Sequence, residues 1–302
     1  MMVGVDIGGG NALAVAVDAG GAVTARASVS AATGADIVGA AMEAVERVTP
    51  ASSGASSIGI AASDVDAPMS GRVLESLASR YSALFPRRAV IGAGTAAAVA
   101  EAWAGAAQGV ADVVYFAVGD RATAGFVRQG QAVTGAHGRE PVVGWLALNP
   151  VEREDYRKAG CLDAEVAAAG IVRRLIWRIK AGDRSRVQEK VDGDLSAITV
   201  DLVLDAARGK DGVSISVMRD TAKYLGMAAA NLVVMADPET LVLGGLMATA
   251  SDLLLEPILW ELGRRLPGPM MESLKISTAL LGADAPAIGA ARHASLASPS
   301  RA

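Results

Sequence analysis

One plan is used twice along this chain, and that repetition constrains its fold more than any single residue. Val3–Ile7, Ala12–Val17 and Val23–Val29 read as strands separated by the turns GGGN and DAGG. Closely spaced apolar runs punctuated by glycine predict an antiparallel meander. Asp36–Val48 then carries helical spacing, Ser57–Ala61 is strand-like, and Val73–Leu84 is helical up to Pro86. Ala89–Ile91 is a short buried strand and Thr95–Ala107 an Ala-rich helix. The plan restarts with Val113–Val118, Ala124–Arg128 and Gln131–Val133, which predict a second meander turning at Gly119, Gly130 and Gly135. Gly135–Gly160 reads as loops around one strand. Leu162–Ile179, Asp201–Ala207, Val213–Met235, Ser251–Leu266 and Ala285–Leu296 read as helices, with Thr240–Leu243 and Ile276–Leu281 as strands. A meander followed by alternating helices and strands, repeated, predicts two α/β lobes, each a mixed sheet flanked by helices. The hinge is expected near Gln108–Asp112.

Composition narrows the function classes. With 302 residues, 52% apolar and 20% charged, the chain can bury substantial cores without a staple. A formal charge of −4 gives no broad attraction for nucleic acid or membrane. One cysteine excludes an internal disulfide, and Cys161, His137 and His293 are too few and too scattered for a four-ligand zinc site. No metal is therefore expected. The apolar runs fall short of a membrane span, and MMVGVDIGGG lacks the basic start of an export signal. A cytoplasmic location is expected.

Asp6-Ile7-Gly8-Gly9-Gly10-Asn11 is the stretch with most chemistry in it. A carboxylate ends a buried strand and three glycines follow. Glycines bring main-chain N–H groups close to a phosphate, and the aspartate can order a hydrated Mg²⁺. By itself the motif reads equally as a plain hairpin turn. No GxxxxGK[ST] occurs, so it is not a P-loop.

Taken with the rest of the chain, DIGGGN resembles the DIGGTN phosphate motif of the ROK family of sugar kinases and repressors. Four further segments resemble that family in order. These are GIAASDVDAPMSGRV (Gly59–Val73), VIGAGTAAAVAEAWAGAA (Val90–Ala107), PETLVLGG (Pro238–Gly245) and LGADAPAIGAARHA (Leu281–Ala294). The resemblance implies an actin-like ATPase (ribonuclease H-like) fold. It implies lobes at 1–108 with 284–302 and at 109–283, a nucleotide in the cleft between them, and a homodimer. It places Asp6, Gly8, Gly9, Gly10, Asn11 and Gly119 at the phosphates, and Gly244 and Gly245 on the adenosine side. Gly92, Ala93, Asp64, Val142 and Trp145 fall in the sugar pocket.

The chain departs from the family where the reaction would occur. The NDAN motif reads Gly92-Ala93-Gly94-Thr95, so Ala93 stands where an aspartate would act as general base, a contribution of roughly 10²–10⁴-fold. GTGIGAG becomes Gly119-Asp120-Arg121-Ala122-Thr123-Ala124-Gly125, which brings a carboxylate to phosphate oxygens. Asp120 and Arg121 read as a solvated turn, or as a pair filling the cleft. AGEIGH becomes Glu140–Trp145, with Val142 for the sugar-gripping Glu and Trp145 for the His that contacts sugar and zinc. Of the zinc loop only Cys161 remains, read as a small core residue. Trp145 is expected to plug the pocket, the alternative being stacking on a ligand ring.

These losses predict a pseudo-sugar-kinase that acts as a ligand-binding, regulatory or scaffold protein. Weak or absent ATP and Mg²⁺ binding is expected, with a sugar-like small molecule as ligand. The alternative is an active ATP-dependent hexose or N-acetylhexosamine kinase with its base relocated to Asp64, Asp66 or Asp120. With Asp6 already at the start of the chain, no DNA-binding helix-turn-helix is expected before it. Basic residues in Val172–Lys190 read as a solvated face or as a surface for an anionic macromolecule. Trp103, Trp177 and Trp260 read as packing, at a core or a subunit contact.

Overall fold

A computed structural model describes residues 1–31, 36–49, 56–62, 68–81, 85–137 and 139–298. Its first sheet contains β1 (Met2–Gly8), β2 (Asn11–Val17), β3 (Val23–Ser30), β4 (Ser57–Ala62) and β5 (Arg87–Gly92), in the order β3-β2-β1-β4-β5. The meander β1–β3 is antiparallel, whereas β4 and β5 run parallel to β1. The second sheet contains β6 (Val113–Val118), β7 (Ala122–Arg128), β8 (Gln131–Val133), β9 (Thr240–Gly245) and β10 (Lys275–Thr278). Read from its opposite edge, its order is β8-β7-β6-β9-β10, the same topology with the same parallel and antiparallel pairings. The duplication legible in the sequence is therefore a duplication of sheet topology.

In the first half, α1 (Ile37–Val48) and α2 (Pro68–Tyr81) cover one sheet face, with Val3, Val5, Ile58, Ile60, Val45 and Leu77 in one core. Each fully buried isoleucine there contributes about 1.5–3 kcal/mol. The second half carries α4 (Glu154–Ala159), α5 (Cys161–Val166), α6 (Ala168–Lys180), α7 (Arg186–Lys190), α8 (Val200–Arg208) and α9 (Gly212–Ala236). It continues with α10 (Leu246–Thr249), α11 (Ser251–Gly263) and α12 (Gly268–Ser273). Phe116, Leu162, Leu225, Leu241 and Ile258 belong to its core.

Two helices sit between the sheets. Besides the intervening α3 (Ala93–Ala104), the chain ends in α13 (Ala285–Leu296). Val15 and Val17 of the first sheet, Tyr115 and Val242 of the second, Ala97 of α3 and Ile288 of α13 form one cluster. α13 approaches so closely that a Cβ added to Gly289 would overlap the Ala96 carbonyl of α3, and one on Gly4 or Gly59 would overlap its own carbonyls.

Several expectations are corrected. Gly135–Gly160 holds no strand among its described residues; it contains a single 3-10 turn at Val143–Trp145 and α4. The helix expected over Leu162–Ile179 is two helices, broken at Ala167 with ψ 157°. The break turns the Ala168 N–H onto the Gly119 carbonyl at 2.9 Å, a tertiary bond that local propensity does not encode. Among the described residues no helix is long and apolar enough to cross a membrane.

Candidate active-site cleft

The carboxyl ends of the parallel strands converge. Asp6 lies opposite Ala61, Ala62 opposite Gly92, and Val118 opposite Gly245. In open α/β sheets, ligands bind beyond these strand ends.

Gly9 and Gly10 make the β1–β2 turn at φ 59° and 76°, a backbone that side-chain-bearing residues rarely adopt. Nothing lies within 4 Å of where a Cβ on Gly10 or Gly119 would sit, so both turns have open space before them. The loops face each other: a Cβ on Gly9 would lie 3.7 Å from Asp120 Oδ2. A phosphate held on the glycine N–H groups would meet that carboxylate at a cost of a few kcal/mol. The glycine cradle thus fits a phosphate, but Asp120 makes it a poor fit for a triphosphate.

Asp120 and Arg121 do not pair with each other. Arg121 Nε lies 3.4 Å from Asp163 Oδ2, and Asp163 Oδ1 accepts the Ala122 N–H at 2.7 Å. Asp163 is buried beneath the Val143–Trp145 turn, where Gly144 leaves room for its carboxylate. Burial pushes its pKa above the ordinary 3.8, opposed by the Ala122 N–H and Arg121.

Asp6 ends β1 with Oδ1 shielded and without a hydrogen-bond partner among the described residues. Burial raises its pKa from 3.8 to about 6. Tyr115, buried nearby, is raised by burial and by the charges of Glu101 and Asp6. Its ring packs against Gly244, where a Cβ would overlap the hydroxyl. Gly245 takes φ 59° and packs against Val118.

Beyond Asp6 and Ala61 along the sheet, β5 leads into α3 with Gly92 as N-cap and Ala93 as first helical residue. The Glu140 carboxylate sits on this helix end. Its Oε2 accepts the Gly94 N–H at 2.7 Å and the Thr95 N–H at 3.4 Å. A Cβ on Gly92 would lie 2.5 Å from the same oxygen, so Glu140 fills the space beside Gly92 that a side chain there would take. Sequence reasoning missed it because Glu140 lies two residues before Val142, where the family's Glu belongs. The signal was present in the sequence: an acidic residue close to the Val142–Trp145 stretch, and glycine at position 92.

Trp145 does not plug the pocket: it is 50% exposed, and Val142 is 55% exposed. Only Val143 and Gly144 of that turn are buried. Asp64 and Asp66 lie outside the described residues. No group of three or more His, Cys, Asp or Glu among the described residues is placed to hold a metal. Cys161 is buried with Tyr156 and Ala164. The basic stretch is partly paired within the chain: Arg173 with Asp155, Arg178 with Asp183, and Arg186 with the Gly209 carbonyl. Trp177 and Trp260 are exposed, not core, and lie under the guanidinium groups of Arg173 and Arg264. A second missed residue is Glu101 of α3. It accepts N–H bonds from Ala106, Leu280 and Leu281, tying α3 to the segment before α13.

The family model for ROK matches residues 2–296. The chain belongs to the ROK family. A ROK family glucokinase from Streptomyces griseus, solved with glucose and AMPPNP, superposes with a TM-score of 0.81 at 25% identity, covering 97% of this chain and 98% of that one. A ROK hexokinase from Thermus thermophilus superposes with a TM-score of 0.77 at 24% identity, covering 98% of each. The fold is thus the actin-like ATPase fold. A glucokinase of Halalkalibacterium halodurans is 30% identical over 195 residues, 64% of this chain and 59% of that protein. The chain therefore spans about three fifths of that relative's length.

Proposed function

We propose that this ROK protein binds a sugar-like ligand in the kinase cleft without phosphorylating it, and acts as a regulatory or scaffold protein. The observation that carries this reading is the N-terminus of α3. Ala93 brings no proton acceptor there, and the carboxylate that is present, from Glu140, is held by the Gly94 N–H at 2.7 Å. Asp120 facing Gly9 supports it further, since it opposes a triphosphate on the glycine turn. The glucokinase among the relatives supports a sugar-like ligand.

A coupled ADP-release assay with ATP, Mg²⁺ and a panel of hexoses and N-acetylhexosamines tests the reading, with Asp6→Ala as control. No sugar-dependent turnover is expected, while calorimetry with the same sugars reports binding. Turnover that Asp6→Ala abolishes would overturn the proposal. The second reading is an active sugar kinase whose base is Glu140, favoured by the position of that carboxylate at the α3 terminus. In that case Glu140→Gln abolishes turnover, whereas Asp120→Asn, on the phosphate side, does not remove the base.

A further inference from the structure

A pocket of about 410 Å³ opens in the second half of the chain, within the size range of small-molecule sites. Its walls come from the Leu148–Pro150 loop, Arg153, Glu165 of α5, Arg174 of α6, and Asp220, Lys223 and Tyr224 of α9. No residue of the strand-end cleft lines it.

Several hydrogen-bond donors around this pocket lack an acceptor among the described residues, although Arg153 also donates to Asp155. Glu165 is buried and its two hydrogen bonds fall on one oxygen: Oε1 accepts from Arg153 and from the Tyr156 hydroxyl at 2.5 Å, while Oε2 faces Arg174. Arg174 Nη2 donates to Thr221. Its Nε, 3.6 Å from Glu165, is too far for a hydrogen bond, and that buried atom has no acceptor among the described residues. Arg153 Nε is buried and likewise without an acceptor. Asn149 Nδ2 donates to both tyrosine hydroxyls, Tyr156 at 3.1 Å and Tyr224 at 3.2 Å. The Tyr156 hydroxyl donates to Glu165, but the Tyr224 hydroxyl has no acceptor among the described residues. Lys223 makes no ion pair among the described residues, and the lining holds three cations against two carboxylates. Burial also lowers the Arg174 pKa, so a nearby anion would relieve an unfavourable charge. Buried donors without acceptors are rare in folded proteins, and each calls for a partner.

We infer that this pocket binds a small anion, a phosphate monoester or a carboxylate, whose oxygens accept from Lys223 and Tyr224, with the guanidinium charges of Arg153 and Arg174 in the pocket wall. Charge-assisted hydrogen bonds of this kind are short and about twice as strong as neutral ones. The inference is independent of the cleft reading, because the two sites share no residue.

The test is isothermal titration calorimetry of the full chain at fixed ionic strength with inorganic phosphate, glucose 6-phosphate and malonate. Saturable binding of at least one is expected. The preferred arm tells inorganic phosphate, an organic phosphate and a carboxylate apart. Lys223 is exposed and Tyr224 half-buried, so Lys223→Gln and Tyr224→Phe leave the core in place. Each is expected to weaken binding about tenfold, as for a lost hydrogen bond to a charged group, with Tm unchanged in the absence of anion. Asp6→Ala is expected to leave binding intact. Absence of saturable binding in all three arms overturns the inference. So does binding that survives both pocket substitutions, or binding lost only in Asp6→Ala, which would place the anion in the cleft.

Discussion

Asp6→Asn isolates the energetic consequence of keeping a carboxylate at the end of β1. Asp6 Oδ1 has no hydrogen-bond partner among the described residues, and burial raises the group from 3.8 to about 6. The folded state therefore holds its proton more tightly than the unfolded chain does. Between about pH 4 and 6 the native protein binds more protons, so this group's contribution to stability falls as pH rises. At 1.36 kcal/mol per pH unit, the full penalty above pH 7 is about 3 kcal/mol, of which about 2 develops between pH 4.5 and 8. Asparagine has nearly the same shape and does not ionise. Its amide carries a desolvation cost of its own, but that cost does not change with pH. The useful quantity is thus the difference between the two proteins as a function of pH. Urea denaturation at half-unit steps from pH 4.5 to 8 should show Asp6→Asn gaining about 2 kcal/mol relative to the parent across the range. A difference that is flat with pH, or that moves toward the parent, refutes the argument that Asp6 is desolvated and unpaired. An aspartate kept at such a cost is a mark of a ligand site, since functional positions are where stability is given up.

Two further substitutions probe the ends of α3. Glu140→Ala removes the carboxylate from the helix N-terminus and should cost about 1–2 kcal/mol, lowering Tm by roughly 2–6 °C; an unchanged Tm would show that the contact with Gly94 is not made in solution. Glu101→Ala strips the Ala106, Leu280 and Leu281 N–H groups of their acceptor. It should destabilise by about 3 kcal/mol or more, with faster hydrogen exchange in the segment leading into α13, and undiminished protection there would remove Glu101 as the tie between the helices.

Where the chain departs from its sequence reading, the cause is a contact between segments distant in sequence. Ala285–Leu296 was legible to the residue as α13, because a Pro at its start and a polar tail bound it locally. The helix through Leu162 was not, because its break at Ala167 serves a bond to Gly119, nearly 50 positions earlier. Trp145 looked like a plug because a large aromatic replaced a ligand-contacting His. It is instead half exposed, since the turn buries Gly144 over Asp163 and directs its neighbours outward. Trp177 and Trp260 depart for a local reason instead: each is exposed, with an Arg four residues away stacked on its ring.

By itself the sequence determined the twofold plan of strands and helices, the glycine turn after Asp6 and the absence of a titratable side chain at Ala93. All of these are written in local pattern: apolar periodicity, glycine where the backbone needs φ > 0, and the identity of one side chain. Only the tertiary structure decided that the two sheets share one topology. It alone placed Asp120 before Gly9, paired Arg121 with Asp163, and laid Glu140 on the N-terminus of α3. Those outcomes depend on which groups meet across some 40 to 110 residues of intervening chain, and such meetings are set by packing rather than by any window of sequence.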